Sequence, residues 1–372
     1  MHKKIILYPN HEPLEFKKSI ENYNYNVQNS ILENSNNFKF INIYPENKYF
    51  TNTKLKYFKG LNDRIYKYFL YGKNIKHINY DICHVTDQSY AHLINYINPQ
   101  KSILTVHDII PYLNFYNKLH HEANQNKQYL SKYLTSYFNK FKRIIAVSTN
   151  TKNDLIKYLN INEEKIQVIY NGINTNFTKI NNSTLNDFKL KYKIFHYNVN
   201  LLAIGNNFYK NTLTIFKAFV IYKAISSKNV KLFLVGSKNK YIEYCIVESN
   251  INENDIYFIE NLSEEEMILL YNSLDCLIFP SLYEGFGFPP LEAMSCGLPV
   301  CTTYSGSLLE LMNKEICLMS HPMDYIQIAN NLNQLLNNEK LKNSLVTNGL
   351  KYSKDFSWNK SALLHINVYD SI

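Results

Sequence analysis

Residues 279–297 read FPSLYEGFGFPPLEAMSCG, and this stretch decides the fold. It predicts a buried strand that ends at Pro280, a turn with glycines at 285 and 287, and a short helix that opens at the two prolines and stops at Gly297. Proline suits the first helical turn because its missing N–H would have no partner there. Glycine lets the main chain approach a ligand, and a helix N-terminus just beyond attracts anions. The stretch therefore predicts a site for a diphosphate between a strand and a helix.

Short apolar runs bounded by Gly, Asn, Asp or Pro recur on both sides of this stretch, with helical patterns between them. Runs that are apolar throughout are typical of parallel strands covered on both faces. Their alternation with helices indicates right-handed crossovers and doubly wound sheets. The runs form two series, so we predict an α/β chain with two Rossmann-like domains. The predicted strands are 5–8, 40–44, 82–85, 103–106, 144–147 and 166–169 in the first series, and 201–204, 232–235, 256–259, 276–279, 300–303 and 316–319 in the second.

The domain boundary is predicted in the mostly polar stretch 174–186. We expect an N-terminal domain over residues 1–180, a C-terminal domain over 190–354, and a closing helix over 355–372 that packs back toward the first domain. Two helix starts fit the capping-box pattern, residues 151–154 and 263–266.

The composition is that of a globular protein, with 45% hydrophobic and 19% charged residues among 372. The net charge of +9 is consistent with lysines spread over the surface, or with attraction to anionic membranes or phosphorylated substrates. No block of like charge predicts a nucleic-acid-binding arm. The six cysteines form no C-x-x-C pair and indicate reduced, buried thiols. The first apolar run is too short for a signal peptide and no run is long enough to span a membrane, so we expect a cytoplasmic protein, either free or peripheral at the inner face of a membrane.

The stretch 279–297 contains two carboxylates, Glu284 and Glu292, that could bind a ligand. Glu292 is predicted in the first helical turn, where it could accept hydrogen bonds from a ribose. Glu284 precedes the glycines and is placed to meet a sugar. The alternative is a loop-to-helix junction with one dipole-favoured and one solvated glutamate.

The motif itself, E-G-F-G-F-P-P-L-E-A-M with seven residues between Glu284 and Glu292, resembles the signature of retaining glycosyltransferases of family 4, the glycosyl transferases group 1. The resemblance implies the GT-B fold, in which two Rossmann-like domains face each other across a cleft. It also implies that residues 1–180 form the acceptor-side domain and residues 190–354 the nucleotide-sugar-binding domain. Further segments resemble the same family: His107 to Pro111, Ser148 to Asp154, Val168 to Gly172, Gly205 to Asn211 and Phe233 to Gly236.

The resemblance also implies the roles of individual residues. Glu284 would contact hydroxyls of the transferred sugar, Glu292 the donor ribose, and Lys210 the leaving diphosphate. His107 would line the donor sugar. The catalytic set is thus His107, Lys210 and Glu284, and the donor-binding set is Gly205, Asn206, Lys210, Gly285, Phe286, Gly287, Phe288 and Glu292, with no metal ion and no cofactor besides the nucleotide-sugar.

Three departures from the family pattern stand out. Asn206 follows Gly205 where the family commonly has an arginine in this loop, and asparagine does not replace its bidentate fork. The N-terminal glycine pair is missing, and residues 8–12 occupy that loop. The glycine that usually follows the third strand of the C-terminal domain is replaced near Glu260 and Asn261.

Two other patterns are weaker. Histidines 84, 92, 107, 120 and 121 match no metal-site spacing, and scattered histidines are the better interpretation. Residues 87–93 follow a strand, and they either line an acceptor site or form an ordinary connection.

The sequence therefore predicts a retaining transfer of a hexose from GDP-mannose or a UDP-hexose to a glycan or lipid-linked saccharide. The partners would be the donor, the acceptor and an anionic membrane surface, with no nucleic acid. The alternative is a GT-B scaffold or sugar-nucleotide-binding protein that has lost catalysis.

Overall fold

The computed structural model describes residues 4–9, 18–44, 66–115, 132–180 and 183–372. The chain divides into two compact units, one formed by Met1–Gly172 with Trp358–Ile372 and one by Ile173–Ser357. Each unit is built around a parallel sheet of six described strands. The predicted α/β class is confirmed.

The first unit has strand order β2-β1-β3-β4-β5-β6, with every described pairing parallel. Its strands are β1 (Lys4–Pro9), β2 (Phe38–Ile43), β3 (Ile82–Val85), β4 (Ser102–Val106), β5 (Arg143–Ala146) and β6 (Ile166–Val168). Its first helices are α1 (Lys18–Asn34), α2 (Tyr71–Ile75), α3 (Ile110–Phe115) and α4 (Thr149–Leu159).

The second unit has strand order β12-β11-β10-β7-β8-β9, again parallel throughout its described pairings. Its strands are β7 (Asn198–Ile204), β8 (Asn229–Val235), β9 (Ile256–Ile259), β10 (Cys276–Phe279), β11 (Val300–Thr303) and β12 (Leu318–Ser320). Its helices are α5 (Ser183–Lys191), α6 (Thr212–Ile225), α7 (Lys240–Ser249), α8 (Glu264–Ser273), α9 (Phe288–Ser295), α10 (Leu308–Leu311), α11 (Tyr325–Asn337) and α12 (Glu339–Tyr352).

The last helix, α13 (Trp358–Asp370), belongs to the first unit and packs against α1. Further described elements are the π-helix Tyr66–Leu70 and the 3₁₀ helices Gln88–Asn95, Pro99–Lys101, Phe138–Lys140, Glu163–Lys165, Phe208–Lys210, Glu253–Asp255 and Ser353–Asp355. None of the described helices combines the length and the apolar character needed to cross a bilayer.

The boundary between the units lies after Gly172, whereas the sequence placed the end of the first domain at residue 180. The reason is a set of side-chain hydrogen bonds to α8. Glu264 accepts from Asn174, and Asn272 bonds both the carbonyl of Thr178 and the amide of Ile180. The intervening segment is thereby tied to the second unit.

One predicted capping box is confirmed and the other is wrong. Ser263 Oγ accepts from the amide of Glu266 at 3.1 Å, and Glu266 Oε2 accepts from the amide of Ser263 at 3.2 Å. Helix α4, however, does not start at Thr151. Ser148 is extended and its Oγ accepts from the Thr151 amide at 3.0 Å, so Ser148 is the N-cap and the helix begins at Thr149.

A chain of buried hydrogen bonds joins strands of the first unit to its last helix. Tyr369 of α13 shares a 2.5 Å hydrogen bond with Tyr8 of β1 and lies 2.8 Å from Nδ1 of His84 in β3. Nε2 of His84 lies 2.7 Å from Oγ1 of Thr105 in β4. These side chains are fully buried, and the bonds satisfy polar groups that would otherwise be costly in the core.

The chain of bonds continues through α1. Tyr23 lies 3.0 Å from Oγ1 of Thr105 and 2.8 Å from Nε2 of His365 in α13, and its ring packs against the edge of Trp358. Burial lowers the pKa of His365 to about 4 and holds the pKa of His84 well below its usual range. Both imidazoles are therefore neutral in the folded protein near pH 7.

The six cysteines are buried free thiols, as predicted. Cys276 and Cys301, on neighbouring strands, have their sulfur atoms 3.8 Å apart. Burial raises the pKa of Cys317 to about 12, which keeps this thiol protonated and unreactive.

The buried histidines predict a stability that depends on pH. The pKa of His365 is about 4 in the folded state and about 6.5 in an unfolded chain, so between these values the unfolded state binds more protons. The contribution is complete above about pH 6.5 and is lost as the pH falls toward 4, by roughly 3 kcal/mol for this residue. Urea unfolding at a series of pH values, followed by fluorescence of Trp358, the one tryptophan, measures it.

His365→Gln should flatten this dependence because it removes one titrating group. His77→Gln is the matched control, since His77 is exposed on the same unit and should leave the slope unchanged. Equal slopes for wild type and His365→Gln would contradict the prediction.

Candidate active site

The predicted site residues of the second unit gather at the carboxyl ends of β7 and β10, the two central strands of the sheet. From β7 the strand order runs outward to β8 and β9, and from β10 it runs the other way to β11 and β12. The order therefore reverses between them. Ligands of doubly wound sheets bind at this switch point, where successive loops diverge and leave a crevice.

The loop after β7 brings Lys210 to the switch point. Gly205 has φ +95°, and a Cβ atom there would lie 2.6 Å from Cγ of Lys210, so this glycine makes room for the lysine side chain. Asn211, in the left-handed conformation, is the N-cap of α6, and its side-chain Nδ2 donates to the carbonyls of Pro280 and Pro322. These bonds fix the loop to the ends of β10 and β12.

The loop after β10 brings Glu284 to the same place. The amide of Leu282 donates to the carbonyl of Tyr209 at 2.8 Å, which joins this loop to the first one. The amide of Ser307 donates to the carbonyl of Glu284 at 3.2 Å. Gly306, at φ +51°, lies so close that a Cβ would be 2.9 Å from both N and O of Glu284. The main chain of Glu284 is thus held from two sides.

Lys210 and Glu284 form an ion pair, with Nζ of the lysine 2.8 Å from Oε1 of the glutamate. Their side chains are only 15% and 11% exposed. The lysine ammonium also lies 4.9 Å from the ring centre of Phe279, within range of a cation–π contact. Glu284 is therefore not the solvated glutamate of the alternative interpretation.

Helix α9 begins beside this pair, one residue earlier than predicted. Gly287 at φ +94° is its N-cap, and Phe288 is its first residue, ahead of the two prolines. Two proline nitrogens carry no hydrogen, so the amides of Gly287 and Phe288 remain the donors near this end. Oγ of Ser307 is buried without a hydrogen-bond partner among the described residues, 4.0 Å from where a Cβ on Gly287 would lie. A buried hydroxyl thus lies close to the N-terminus of α9.

Because the helix begins at Phe288, Glu292 lies in its second turn and not in the first, which corrects the prediction. Its Oε2 accepts a 2.9 Å hydrogen bond from the hydroxyl of Tyr271 in α8. Desolvation raises the pKa of Glu292 to about 7, while the Tyr271 hydrogen bond opposes the rise. This carboxyl group therefore changes charge near neutral pH.

Two departures from the family pattern have structural explanations. Nδ2 of Asn206 donates to Ser237 at both its carbonyl and its hydroxyl, and the carbonyl of Asn206 accepts from Asn239. Asn206 thus joins the loops after β7 and β8. Asn261 has φ +55°, so it adopts the left-handed conformation that glycine would favour at this position.

Phe286 serves the core of the second unit. It is buried, and its ring makes edge contacts with Phe288 at 5.1 Å and with Phe356 at 6.0 Å. Gly285, between Glu284 and Phe286, is partly buried. The donor-binding roles of these residues stay predictions.

His107 follows β4 of the first unit. Its Nε2 lies 2.8 Å from the carbonyl of Thr86, so this nitrogen carries the hydrogen, and its ring packs on the edge of Tyr23. Gln88 accepts from the His107 amide at 3.2 Å and donates to the carbonyl of Asp108 at 3.1 Å. His107 belongs to a different unit from Lys210 and Glu284, and its catalytic role stays a prediction.

His92 and the segment 87–93, which the sequence also singled out, lie in the first unit. His92 is bonded to the carbonyl of Lys67, and burial lowers its pKa to about 4. Asp87 caps the 3₁₀ turn Gln88–Asn95. Among the described residues, no three His, Cys, Asp or Glu side chains converge as a metal site would require. Residues 10–12 and the pair His120 and His121 lie outside the described residues.

Gln88 belongs to the segment 87–93, which the sequence did single out. Tyr271, Gly306 and Ser307 were not identified as neighbours of the site. Gly306 and Ser307 follow β11, the strand next to β10. Adjacency of strand ends was the available signal. Tyr271 carried no such signal, because it contacts Glu292 from within a helix.

Comparison with known proteins agrees with this geometry. A family model described as Glycosyl transferases group 1 matches residues 195–352, and one described as Glycosyltransferase Family 4 matches residues 44–177. The serotype-specific mannosyltransferase WbdA of Escherichia coli is 28% identical over 278 residues, 73% of this chain and 33% of WbdA. This chain therefore spans about a third of the length of that relative.

Two further similarities extend the comparison. The O-antigen chain mannosyltransferase B of Escherichia coli is 24% identical over 272 residues, 73% of this chain and 70% of the relative. Anabaena Alr3699/HepE, crystallised with UDP and glucose, has a TM-score of 0.75 at 17% identity, with 99% of this chain and 100% of that chain covered. The motif, the paired sheets and both family models agree: the chain belongs to the group 1 glycosyltransferases of family 4 and has the GT-B fold.

Proposed function

We propose that the protein is a retaining glycosyltransferase that moves a hexose from a nucleoside-diphosphate sugar to a growing polysaccharide. The observation that carries this proposal is the buried Lys210–Glu284 pair at the switch point, beside the open N-terminus of α9. One group of the pair suits a phosphate and the other suits sugar hydroxyls. A site that binds only an anion would not require the carboxylate of Glu284.

In this proposal the diphosphate binds to Lys210 and to the amides of Gly287 and Phe288, with the Ser307 hydroxyl as a further donor. These donors stabilise the negative charge that develops on the leaving group, which is the role a metal ion plays in other transferases. Because they are fixed before the donor arrives, little reorganisation is needed during the reaction.

Glu284 then accepts hydrogen bonds from hydroxyls of the transferred sugar, and Glu292 accepts them from the ribose. His107, in the first unit, contacts the transferred sugar and helps to stabilise an oxocarbenium-like transition state. Retention of configuration follows from the family resemblance and can be checked by NMR of the anomeric centre of the product.

The relatives favour mannose as the transferred sugar, since WbdA and the O-antigen chain mannosyltransferase B are both named as mannosyltransferases. The Anabaena neighbour binds UDP and glucose, so both GDP-mannose and UDP-glucose belong in a first assay. A polysaccharide acceptor is consistent with the O-antigen relative. We place the reaction in the cytoplasm, where the net charge of +9 would attract the protein to an anionic membrane face.

The proposal predicts a loss of transfer when either member of the pair is truncated. Lys210→Ala and Glu284→Ala should each lower kcat by about 100-fold or more, the cost of removing one preorganised charged contact. His107→Ala should also lower kcat. Transfer and donor hydrolysis with GDP-mannose and UDP-glucose measure these effects.

Glu163→Gln is the matched control, because it removes a carboxylate from another ion pair, with Lys152 at 2.7 Å, before β6. It should keep wild-type turnover. Wild-type rates in all three site variants would overturn the site. Binding of UDP or GDP without any transfer or hydrolysis by the wild type would instead favour a sugar-nucleotide-binding scaffold.

Gly306→Ala should impair transfer through the position of Glu284. A Cβ at residue 306 would meet the main chain of Glu284 at 2.9 Å, where neither partner can yield cheaply. We expect transfer to fall by about tenfold or more. The measurement is kcat at saturating donor, together with the melting temperature.

Gly297→Ala separates this effect from backbone strain. Gly297 also has a positive φ, +76°, but its Cβ would meet only the flexible side chain of Lys179. Both variants should lose about 1–3 kcal/mol of stability from the left-handed conformation, while only Gly306→Ala should lose transfer. Equal transfer rates in the two variants would refute the positioning role.

The raised pKa of Glu292 predicts that donor affinity depends on pH. An ionised carboxylate accepts hydroxyl hydrogen bonds more strongly than a protonated one. The KM for the donor should therefore rise as the pH falls below about 7, and Glu292→Gln should have a higher KM that no longer varies between pH 6 and 8. A wild-type KM that is constant over this range would contradict the assignment.

A further inference from the structure

The Lys210–Glu284 pair places a negative charge where an anion is expected to bind. The carboxylate oxygen is 2.8 Å from the ammonium, and both side chains are largely shielded from water. Shielded charges interact more strongly than the exposed pairs of a protein surface. The lysine that would receive a diphosphate is therefore already neutralised by a carboxylate.

The structure fixes the main chain of Glu284 in this position. Its carbonyl accepts from the amide of Ser307, and its main chain lies against Gly306. The neighbouring residue pair Leu282 and Tyr209 joins its loop to the loop of Lys210 through a 2.8 Å backbone hydrogen bond. A phosphate that reaches Lys210 consequently lies close to the carboxylate of Glu284.

We infer that Glu284 discriminates against the free nucleoside diphosphate and in favour of the nucleotide-sugar. This inference rests on the proposed function. A nucleotide-sugar brings hydroxyl donors that form charge-assisted hydrogen bonds with the carboxylate and compensate its repulsion of the diphosphate. A nucleoside diphosphate brings negative charge and no such donors. The repulsion thus acts on the nucleoside diphosphate and promotes its release after transfer. Glu284 would in this way select against the free nucleoside diphosphate as a ligand.

The test removes the charge and keeps the shape. Glu284→Gln should bind UDP or GDP about tenfold or more tightly than the wild type does, because Lys210 loses its internal counter-ion and the phosphate loses a repulsive neighbour. At the same time its transfer rate should fall and its inhibition by the nucleoside diphosphate should increase. Isothermal calorimetry with UDP, GDP and inorganic pyrophosphate, at low and at physiological salt, measures the affinities.

Three further variants of the protein serve as comparisons in this experiment. Glu163→Gln removes an equal charge from a different ion pair and should leave the affinity unchanged. The double variant Lys210→Gln/Glu284→Gln should not bind UDP or GDP more tightly than the wild type, because the increase in affinity depends on the lysine. Glu284→Ala serves as the second test variant if thermal unfolding shows that Glu284→Gln is not folded.

The outcomes separate this inference from the proposed function. If the wild type and Glu284→Gln bind neither UDP nor GDP, the proposed function is wrong. If the wild type binds one of them and Glu284→Gln binds it with equal or weaker affinity, Glu284 is an ordinary ligand-binding residue and the inference is wrong. Tighter binding by Glu284→Gln that is absent from the double variant supports it.

Discussion

The second unit is organised around one electrostatic constraint, a lysine and a glutamate held in contact at the point where the order of the sheet reverses. Neither charge could be buried there alone without a large desolvation cost. Loops from β7, β10 and β11 are consequently cross-linked by backbone hydrogen bonds around the pair. Glycines are required at 205 and 306 because the Lys210 side chain and the Glu284 main chain occupy the space that a Cβ atom would need.

Much of this architecture was predictable from the sequence, because parallel strands buried on both faces leave uninterrupted apolar runs. β10 and β11 were predicted at their observed bounds. The Lys210–Glu284 contact joins residues 74 positions apart, and local pattern did not reveal it. The family resemblance supplied both residues, Glu284 through the motif and Lys210 through the segment Gly205 to Asn211, and the structure shows that they are in contact. The start of α9 was predicted one residue too late, and Glu292 was therefore assigned to the first turn of the helix. The left-handed Gly287 lets the helix begin before its prolines.

The buried Tyr–His chain of the first unit was beyond prediction for a related reason. Tyr8 and Tyr369 are 361 positions apart, and a tyrosine among 32 carries no sign of its partner. The hydrogen bonds of Asn206 to Ser237 and the left-handed conformation of Asn261 were likewise not foreseeable from the sequence. Four of the five described non-glycine residues with positive φ are asparagines, 160, 211, 250 and 261. In a chain with only ten glycines, asparagine thus provides the left-handed positions.

The first unit is discontinuous in sequence, and this has a consequence for the order of events on the ribosome. Residues 173–357 are inserted between β6 and α13, so they all emerge before the helix that closes the first unit. All six strands of the first sheet are made before the second unit, but His84 and Tyr23 lack their α13 partners until residues 358–370 have been made. The buried hydrogen-bond chain of the first unit can therefore be completed only after the whole of the second unit has been synthesised.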